Sequence, residues 1–401
     1  MKSIYKASLS LMLLLLVAAC GSLERRAAVP QADVTRAEIA GIPNARFWPM
    51  GNNDAIVAEA LQALQREQAL WKQAHGSAPL PPTSFLSISG GGDNGAFGAG
   101  LLNGWTALGN RPDFKIVTGV STGALIAPFA FMGPDYDDEV KQVYTSVSQS
   151  DIFENRGIMA AITKDGIGDT TPLYKLIASY IDEKFLLAVA AEYQRGRLLF
   201  VGTTNLDAQQ PVIWNMGAIA AAGTPESADL FHRIMLASAS IPGAFSPVMI
   251  DVEVDGQQFQ EMHVDGGTMA QVFLYPPAVS REIDSRGLQN LRERHAYIIR
   301  NARLDANWSQ VERSTVSITG KAVATLLQSQ GFGDLYRIYL TTLEDGVDYN
   351  LAYIPEDFKA EHREEFDTDY MRALYDYAYQ KALRGYPWDK TPPGLKADLQ
   401  Q

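Results

Sequence analysis

The sequence of residues 84–127 is SFLSISGGGDNGAFGAGLLNGWTALGNRPDFKIVTGVSTGALIA. Its first apolar run predicts a short buried strand, followed by a loop of glycines and a helix over residues 96–108. A second apolar run at residues 114–118 predicts another strand, which ends in a tight turn before a further helix begins. The stretch therefore predicts two successive units, each a strand followed by a turn and a helix.

The loop after the first predicted strand is Gly90-Gly-Gly-Asp-Asn-Gly95. Glycines here let backbone amides face a bound anion, and the positive end of the next helix adds to the attraction. Gly90, Gly92 and Gly95 also match G-x-G-x-x-G, but a dinucleotide site would require an acidic residue at the end of the next strand. That strand ends in Gly119, so the sequence disfavours a dinucleotide site.

The turn after the second predicted strand is Gly119-Val-Ser-Thr-Gly123. G-x-S-x-G between a strand and a helix is the pattern of a nucleophile elbow, in which glycines permit a tight turn that exposes the serine hydroxyl. On the motif alone, the alternative is a structural turn in which Ser121 caps the helix. Pro128 predicts a kink in that helix or an early end to it.

A third segment with candidate chemistry lies downstream. Residues 247–254 and 258–264 flank Asp255-Gly256, which is a good hairpin signal. The second strand runs into Asp265-Gly-Gly267, where the glycines allow a sharp turn that leaves the carboxylate at a strand end. Alone, Asp265 is more simply a turn or capping residue. It becomes a candidate for catalysis only beside Ser121 and the glycine loop.

The order of these motifs resembles that of the patatin-like phospholipase family. Two blocks between the elbow and Asp265 resemble the family as well, namely Val201-Gly-Thr-Thr-Asn-Leu-Asp207 and Ala237-Ser-Ala-Ser-Ile-Pro-Gly-Ala-Phe245. The resemblance covers residues 84–280, the predicted catalytic domain. It implies an α/β fold, a three-layer α/β/α sandwich of patatin-like type with a Ser–Asp dyad.

The resemblance also implies roles for particular residues. Ser121 is the implied nucleophile and Asp265 the implied base, while the amides of the glycine loop are the implied oxyanion hole. The implied glycines of the loop, the elbow and the Asp265 motif are Gly90, Gly91, Gly92 and Gly95, then Gly119 and Gly123, then Gly266 and Gly267.

One departure from the family pattern affects the loop. The family commonly has Asp before the triple glycine and a basic residue before the fourth glycine, where this chain has Ser89 and Asn94. The missing positive charge affects how strongly the loop would stabilise an oxyanion and which lipid would be preferred. The backbone donors, which that mechanism most needs, are retained.

The start of the chain predicts export and a lipid anchor. Lys2 and Lys6 accompany an apolar run over residues 9–17 that is too short to span a bilayer. Val-Ala-Ala-Cys20 resembles a bacterial lipobox, which implies a lipoprotein signal peptide at residues 1–19, cleavage before Cys20 and lipidation of that cysteine. The alternative is an ordinary signal peptide with a chance cysteine. Gly21 and Ser22 follow without an Asp, which by resemblance favours the outer membrane of a double-membraned bacterium.

The remaining segments predict support for the catalytic domain. Residues 20–53 are polar and rich in breakers and predict a lipidated tether, and residues 54–83 predict an amphipathic helix and a linker. Residues 281–401 predict an extension of helices and strands that completes the domain. The helices and the strand predicted outside the motifs are helices at 54–74, 171–193, 315–330 and 364–384 and a strand at 349–354.

Composition excludes several classes of function. The chain has 401 residues with 34 basic and 46 acidic side chains, and the resulting net charge of −12 argues against a nucleic-acid binder. The single cysteine excludes an internal disulfide and a thiolate zinc site. We expect neither a cofactor nor a metal, and the expected partner is a membrane lipid substrate, with protein partners left open.

The sequence favours a lipid acyl hydrolase, a phospholipase or esterase that cleaves fatty-acyl esters. One alternative is an esterase with a Ser–Asp–His triad, because His295 and His362 follow Asp265 in the chain. His263 lies two residues before Asp265 and is interpreted as a packed strand histidine or as a residue that shapes the site. A second alternative is a non-catalytic envelope lipoprotein that keeps the fold to bind lipid or a partner.

Overall fold

The computed structural model describes residues 23–157, 164–288, 291–306 and 308–395. The predicted signal peptide and Cys20 lie outside the described residues. Among the helices of the described ranges, none combines the length and the apolar character needed to cross a membrane.

The strands of the described chain are numbered in chain order. They are β1 (Arg46–Phe47), β2 (Thr83–Ile88), β3 (Phe114–Val120), β4 (Glu154–Asn155), β5 (Gly166–Asp169), β6 (Leu198–Asn205), β7 (Gln210–Asn215), β8 (Gly243–Phe245), β9 (Val248–Val254), β10 (Gln257–Asp265), β11 (Arg294–Arg303) and β12 (Asp348–Ile354).

The α-helices are numbered in the same way, and short 3₁₀ turns are named by their residues. They are α1 (Asp54–His75), α2 (Gly95–Leu108), α3 (Thr122–Met132), α4 (Asp137–Ser146), α5 (Gln149–Ile152), α6 (Thr171–Tyr180), α7 (Glu183–Gln194), α8 (Met216–Ala222), α9 (Pro225–Ser238), α10 (Pro277–Ser285), α11 (Thr315–Glu344) and α12 (Thr368–Leu383).

The main sheet is mixed and runs in the order β1-β7-β6-β3-β2-β11-β12. Its centre is parallel, because β2, β3, β6, β11 and β12 all point the same way. The hairpin of β9 and β10 joins this sheet through β6. A separate small sheet contains β4, β5 and β8.

Helices cover both faces of the main sheet, as the alternation of side chains along β6 illustrates. Leu199 and Val201 belong to the core under α2, α3 and α9, whereas Leu198 and Phe200 belong to the core under α1 and α10. Farther along the sheet, α11 covers the second face with a third apolar cluster that includes Leu335. The predicted three-layer α/β/α sandwich is therefore confirmed.

The candidate site lies where β3 and β10 pair with two neighbouring residues of β6. Val120, the last residue of β3, pairs in parallel with Gly202 of β6. Asp265, the last residue of β10, pairs in antiparallel with the next residue, Thr203. Because β3 stops where β10 begins to pair, the residues after β3 and at the end of β10 meet on one side of β6.

The described part of the segment predicted as a lipidated tether, residues 23–53, packs on the domain, which the prediction did not include. Arg46 and Phe47 of β1 pair with Trp214 and Ile213 at the edge of the sheet. The Arg46 guanidinium forms a buried ion pair with Glu261 of β10. A polar, breaker-rich composition concealed this packing because its partners lie about 170 to 215 positions later in the chain.

Several predicted helices have different bounds. The helix predicted at 171–193 is two helices, α6 and α7, because Asp182 takes an extended conformation and accepts a hydrogen bond from the Phe185 amide as a new N-cap. The helix predicted at 315–330 continues to Glu344 as α11. Pro128 lies inside α3, which nevertheless extends to Met132.

The C-terminal third supplies both a sheet edge and a covering helix. β11 pairs in parallel with β2, and β12 pairs in parallel with β11. On the other side, α12 packs closely on α2: side chains at Gly100 and Gly104 would clash with the α12 backbone at Tyr375 and Tyr379. The catalytic domain predicted at 84–280 is thus continuous in space with the region that follows it.

Candidate active site

Ser121 occupies a strained turn between β3 and α3. Its backbone angles are φ 55° and ψ −126°, a left-handed conformation that is uncommon for any residue with a Cβ atom. Glycine is required on both sides, since a Cβ at Gly123 would clash with the Ile88 carbonyl and one at Gly119 would clash with Gly123. This geometry matches the predicted nucleophile elbow.

A serine that the sequence did not single out holds this turn in place. Ser238, at the end of α9, accepts a hydrogen bond from the Ser121 amide at 3.0 Å and donates one to the Gly202 carbonyl at 2.6 Å. It belongs to the block at residues 237–245 that carried the resemblance, although no specific contact could be assigned to it from the sequence. Ser238 therefore ties the elbow directly to β6.

Asp265 lies at the end of β10 with its side chain buried beside Ser121. Burial raises the pKa of the Asp265 carboxyl to about 6, against the opposing effects of hydrogen bonds from the Ser121 side chain and the Gly267 amide. The Gly267 amide donates to Oδ1 at 2.7 Å. The carboxyl group thus faces the serine and is a stronger base than an ordinary aspartate.

The backbone around Asp265 is fixed by close contacts with β6 and with the end of α9. The Asp265 amide donates to the Ser240 carbonyl at 2.8 Å, and Thr204 Oγ1 donates to the Asp265 carbonyl at 3.1 Å. At Gly266, any side chain would clash with the Gly202 carbonyl. Glycine at this position is therefore a packing requirement of the strand junction.

The glycine loop lies against Ser121. A Cβ built on Gly90 would lie 3.0 Å from the Ser121 Cβ and 3.7 Å from its Oγ. The loop continues as a 3₁₀ turn at Gly92–Asn94 and then enters α2 at Gly95, which packs on Thr122. Within the described chain, the amides of Gly91 and Gly92 have no hydrogen-bond acceptor, so they remain available as donors.

The C-terminal region supports this loop from outside. Asp93 accepts hydrogen bonds from His362 Nε2 at 2.7 Å and from the Phe366 amide at 3.0 Å. Asn94, which replaces the family's basic residue, accepts a hydrogen bond from the Tyr370 hydroxyl at 2.6 Å. His362 therefore contacts the loop through Asp93 and makes no hydrogen bond to Ser121 or Asp265.

His295 lies at the opposite edge of the sheet from Ser121. It is at the start of β11, where it pairs with Ser84 at the start of β2, and its Nδ1 lies 3.2 Å from Asp348 Oδ2. Ser121 follows the carboxyl end of β3, which is parallel to β2. Neither this histidine nor His362 is thus placed as the third member of a triad.

His263 is a buried strand residue. Its Nδ1 lies 2.9 Å from Thr203 Oγ1 and its Nε2 lies 3.0 Å from Glu261 Oε2. Burial lowers its pKa, although Glu261 acts in the opposite direction. The interpretation as a packed strand histidine fits these contacts, and its pairing with Glu261 links the site strand to Arg46.

Gln271 connects the glycine loop with the Asp265 turn, although no motif in the sequence indicates this role. Its carbonyl accepts from the Gly90 amide at 3.1 Å, and its Nε2 donates to the Gly267 carbonyl at 2.9 Å. Arg300 Nη1 donates to Gln271 Oε1 at 3.3 Å, and the backbone amide of Gln271 donates to Asp334 Oδ2 at 2.7 Å. One buried residue therefore contacts both parts of the site, the glycine loop through its backbone carbonyl and the Asp265 turn through its side chain.

In the ranges that the structure describes, no three His, Cys, Asp or Glu side chains are grouped as metal ligands. The groups assembled at the site are a hydroxyl, a carboxylate and backbone amides. Their arrangement suits nucleophilic attack on a carbonyl followed by stabilisation of an oxyanion.

Comparisons with known proteins identify a family and several similar solved structures. The model of the patatin-like phospholipase family matches residues 86–276. VipD from Legionella pneumophila is similar with a TM-score of 0.40 and 12% identity, over 75% of this chain and 66% of VipD, just under two thirds of its length. No curated protein sequence matches the chain. The chain therefore carries a patatin-like phospholipase domain over residues 86–276.

Proposed function

We propose that this chain hydrolyses fatty-acyl esters of membrane lipids, with Ser121 as the nucleophile and Asp265 as the base. The family supports lipid acyl hydrolysis in general. The observation that carries the residue assignment is the contact between a serine on a strained elbow and a buried carboxylate whose pKa is about 6. Both groups come from strand ends that meet on β6.

The first half of the reaction is acylation of Ser121. As Oγ attacks the ester carbonyl carbon, its proton passes to the Asp265 carboxylate and the carbonyl oxygen becomes an oxyanion. Collapse of this intermediate breaks the ester C–O bond, and the proton held by Asp265 goes to the departing alcohol. The enzyme is left as the Ser121 acyl ester with Asp265 ionised again.

The second half frees the fatty acid. Asp265 accepts a proton from water as that water attacks the acyl carbonyl, and the proton then returns to Ser121 Oγ as the acyl bond breaks. The free amides of Gly91 and Gly92 are the proposed donors to both oxyanions, because the loop that bears them lies against Ser121. No third titratable group is needed for this proton balance.

A fluorophosphonate probe and a panel of defined phospholipids and short acyl esters test the proposal. Wild type is expected to be labelled and to release fatty acid, and Ser121→Ala is expected to lose both properties. Ser179→Ala is the matched control, since Ser179 is an exposed serine on α6 that hydrogen-bonds only within its helix. Sustained ester turnover by Ser121→Ala would exclude this nucleophile, and an inactive, unlabelled wild type would favour the non-catalytic lipoprotein.

We also propose that the protein is exported and anchored in the outer membrane through acylated Cys20. The support is the lipobox-like Val-Ala-Ala-Cys20, which contains the single cysteine of the chain. Growth of the host with radiolabelled palmitate should label wild type and leave Cys20→Ala unlabelled, and fractionation should place the labelled protein with the outer membrane. Label that persists in Cys20→Ala would refute acylation at this residue.

A further inference from the structure

The segment after β11 extends past the edge of the sheet that carries Ser121. β11 is parallel to β2, and the carboxyl ends of parallel strands share one edge. α11 reaches this edge at Gly331, where a side chain would clash with the Arg300 guanidinium near the end of β11. The sixteen residues from Thr315 to the one before Gly331 therefore project about 24 Å beyond the sheet, at 1.5 Å per residue.

The projecting half of α11 has one face held by its own loop. Gln328 Nε2 donates to the Asp305 carbonyl at 3.2 Å, and Lys321 Nζ donates to Ser309 Oγ at 2.8 Å. These two residues are seven apart and so lie on the same side of the helix. Asp305 and Ser309 of the preceding loop therefore lie against this side of the helix, whereas the aliphatic side chains on the opposite side are exposed.

The exposed side of the helix is apolar. At 100° per residue, its aliphatic side chains fall within an arc of about 140°, the width of a typical buried stripe. The preceding loop adds a tryptophan that is 86% exposed. We call this set the apolar ridge: Trp308, Val311, Ile318, Ala322, Val323 and Leu326, all of them exposed.

The charge around the apolar ridge selects a lipid surface as its partner. The whole chain has a net charge of −12, but residues 306–333 contain one acidic residue, Glu312, and two basic residues, Arg313 and Lys321. A surface on which two basic residues outnumber a single carboxylate, in an otherwise acidic protein, avoids strong repulsion from anionic headgroups. An exposed tryptophan in the loop before an exposed aliphatic helix face is the composition of elements that insert at a lipid interface.

We propose that the apolar ridge inserts into the surface of a lipid membrane and places Ser121 beside the bilayer. The ridge and the elbow project from the same edge of the sheet, so a lipid ester would have a short path from the membrane to the site. Delivery of a lipid ester to Ser121 rests on the proposed function, whereas insertion of the apolar ridge into a membrane requires no catalysis.

The first test measures where Trp308 lies, independently of activity. Full-length chain carrying Ser121→Ala is bound to vesicles of phosphatidylethanolamine and phosphatidylglycerol, with or without brominated acyl chains that quench tryptophan fluorescence. We expect clear quenching, most of which disappears when Trp308→Phe is added, because the other five tryptophans lie outside the apolar ridge. Equal quenching with and without Trp308 would overturn the proposal.

The second test separates docking from chemistry. The double variant Val323→Gln and Leu326→Gln should lower turnover of vesicle phospholipid about tenfold or more, because the apolar ridge then carries two polar side chains and inserts less favourably. Turnover of a soluble short-chain ester should be unchanged. Leu187→Gln is the matched control, since Leu187 is a leucine on α7 that is 60% exposed and lies outside the ridge. Unchanged vesicle turnover in the double variant would contradict docking.

The two tests also distinguish this proposal from its neighbours. Quenching of Trp308 without turnover of either substrate by wild type would refute the proposed function and leave docking supported. If the apolar ridge instead joined two copies of the chain, wild type would sediment as a dimer without vesicles and the double variant as a monomer. That result would count against a lipid partner.

Discussion

Ser121 and Asp265 are brought together by two neighbouring residues of a third strand. β3 ends at the partner of Gly202, and β10 ends at the partner of Thr203, so one residue step of β6 sets the spacing between the proposed nucleophile and the proposed base. Ser238 bonds both the Ser121 amide and the Gly202 carbonyl and so fixes the same junction. The site is thus positioned by backbone pairing in the centre of the sheet.

This position stores strain at Ser121, and its release can be measured. Because Ser121 has φ 55° and ψ −126°, Ser121→Gly should relieve about 1–3 kcal/mol of backbone strain. The greater freedom of glycine in the unfolded chain should offset about 0.5–1 kcal/mol of that gain. Ser121→Ala removes the hydroxyl but keeps the Cβ and the strain.

Denaturant unfolding of the two variants checks this expectation. Ser121→Gly should be about 1 kcal/mol more stable than Ser121→Ala, while both lose ester turnover by at least about a thousandfold. The alanine variant is the control, since it lacks the same hydroxyl. Equal unfolding free energies would mean that the elbow is not strained.

The raised pKa of Asp265 predicts how activity and stability depend on pH. The base must be ionised to accept the serine proton, so kcat/KM should rise with pH and level off above a pKa of about 6. Folding raises the pKa of Asp265 from about 4 to about 6. The carboxyl group therefore stabilises the folded state fully only below pH 4, and this contribution is lost as the pH rises through 6. The loss amounts to about 3 kcal/mol.

Asp265→Asn tests both effects. It should abolish turnover and should raise the free energy of unfolding at pH 8, where the wild-type carboxyl is ionised, by more than at pH 4. A pH–rate profile and denaturant titrations at the two pH values provide the measurements. An acid limb near pH 4 would show that burial does not raise the pKa of the base.

Local motifs identified the two side chains that the structure brings together, but they did not identify the residues that hold them in place. Ser121 and Asp265 could be singled out because each lies in a turn with glycines directly after a predicted strand, a pattern that can be recognised within a few residues of sequence. Ser238 could not be singled out, because its partner Ser121 lies 117 positions away and the sequence pattern carries no trace of the contact. For the same reason the described part of the tether escaped prediction, since Arg46 pairs with Glu261 across 215 positions.

The pair of Arg46 and Glu261 predicts a large stability effect from one substitution. Burial alone would raise the pKa of Glu261, but Arg46 and His263 outweigh it and hold the pKa at about 2. Glu261→Gln leaves the Arg46 guanidinium buried without its counter-charge, which should cost about 3–5 kcal/mol of unfolding free energy. The contribution is present above pH 4.5 and is lost as pH falls towards 2.

An exposed ion pair on the same hairpin provides the control. Asp251 of β9 lies 3.2 Å from Arg26, with both side chains about half exposed, so Asp251→Asn should cost less than about 1 kcal/mol. Urea unfolding at pH 7 and pH 3 measures both variants. If Glu261→Gln cost no more than Asp251→Asn, the buried pair would not hold the segment at residues 23–53 on the domain.

Gln271 is expected to act on catalysis through the two backbone segments that it joins. Arg300 can only donate, so its bond to Oε1 fixes which end of the amide faces Gly267. The Gly267 amide in turn donates to Asp265, a bond that lowers the pKa of that carboxyl. Loss of this support should therefore lower kcat and move the acid limb of the pH profile upwards.

Gln271→Met and Gln271→Glu differ in a way that tests this chain of contacts. Methionine removes the side-chain hydrogen bonds to the Gly267 carbonyl and from Arg300 but keeps the backbone bond to Gly90, and we expect kcat/KM to fall by about a hundredfold as the Asp265 turn loosens. Glutamate keeps the partner of Arg300 but places an acceptor against the Gly267 carbonyl and a negative charge near Asp265. The acid limb of the glutamate variant should therefore move farther than that of the methionine variant.

Gln328→Met is the control. Gln328 lies on α11 away from the site, and its side-chain amide likewise donates to a backbone carbonyl, that of Asp305. This variant should leave the limb near pH 6. A general loss of stability would reduce the amount of active enzyme without moving the limb, so an unmoved limb in both Gln271 variants would assign Gln271 to packing alone.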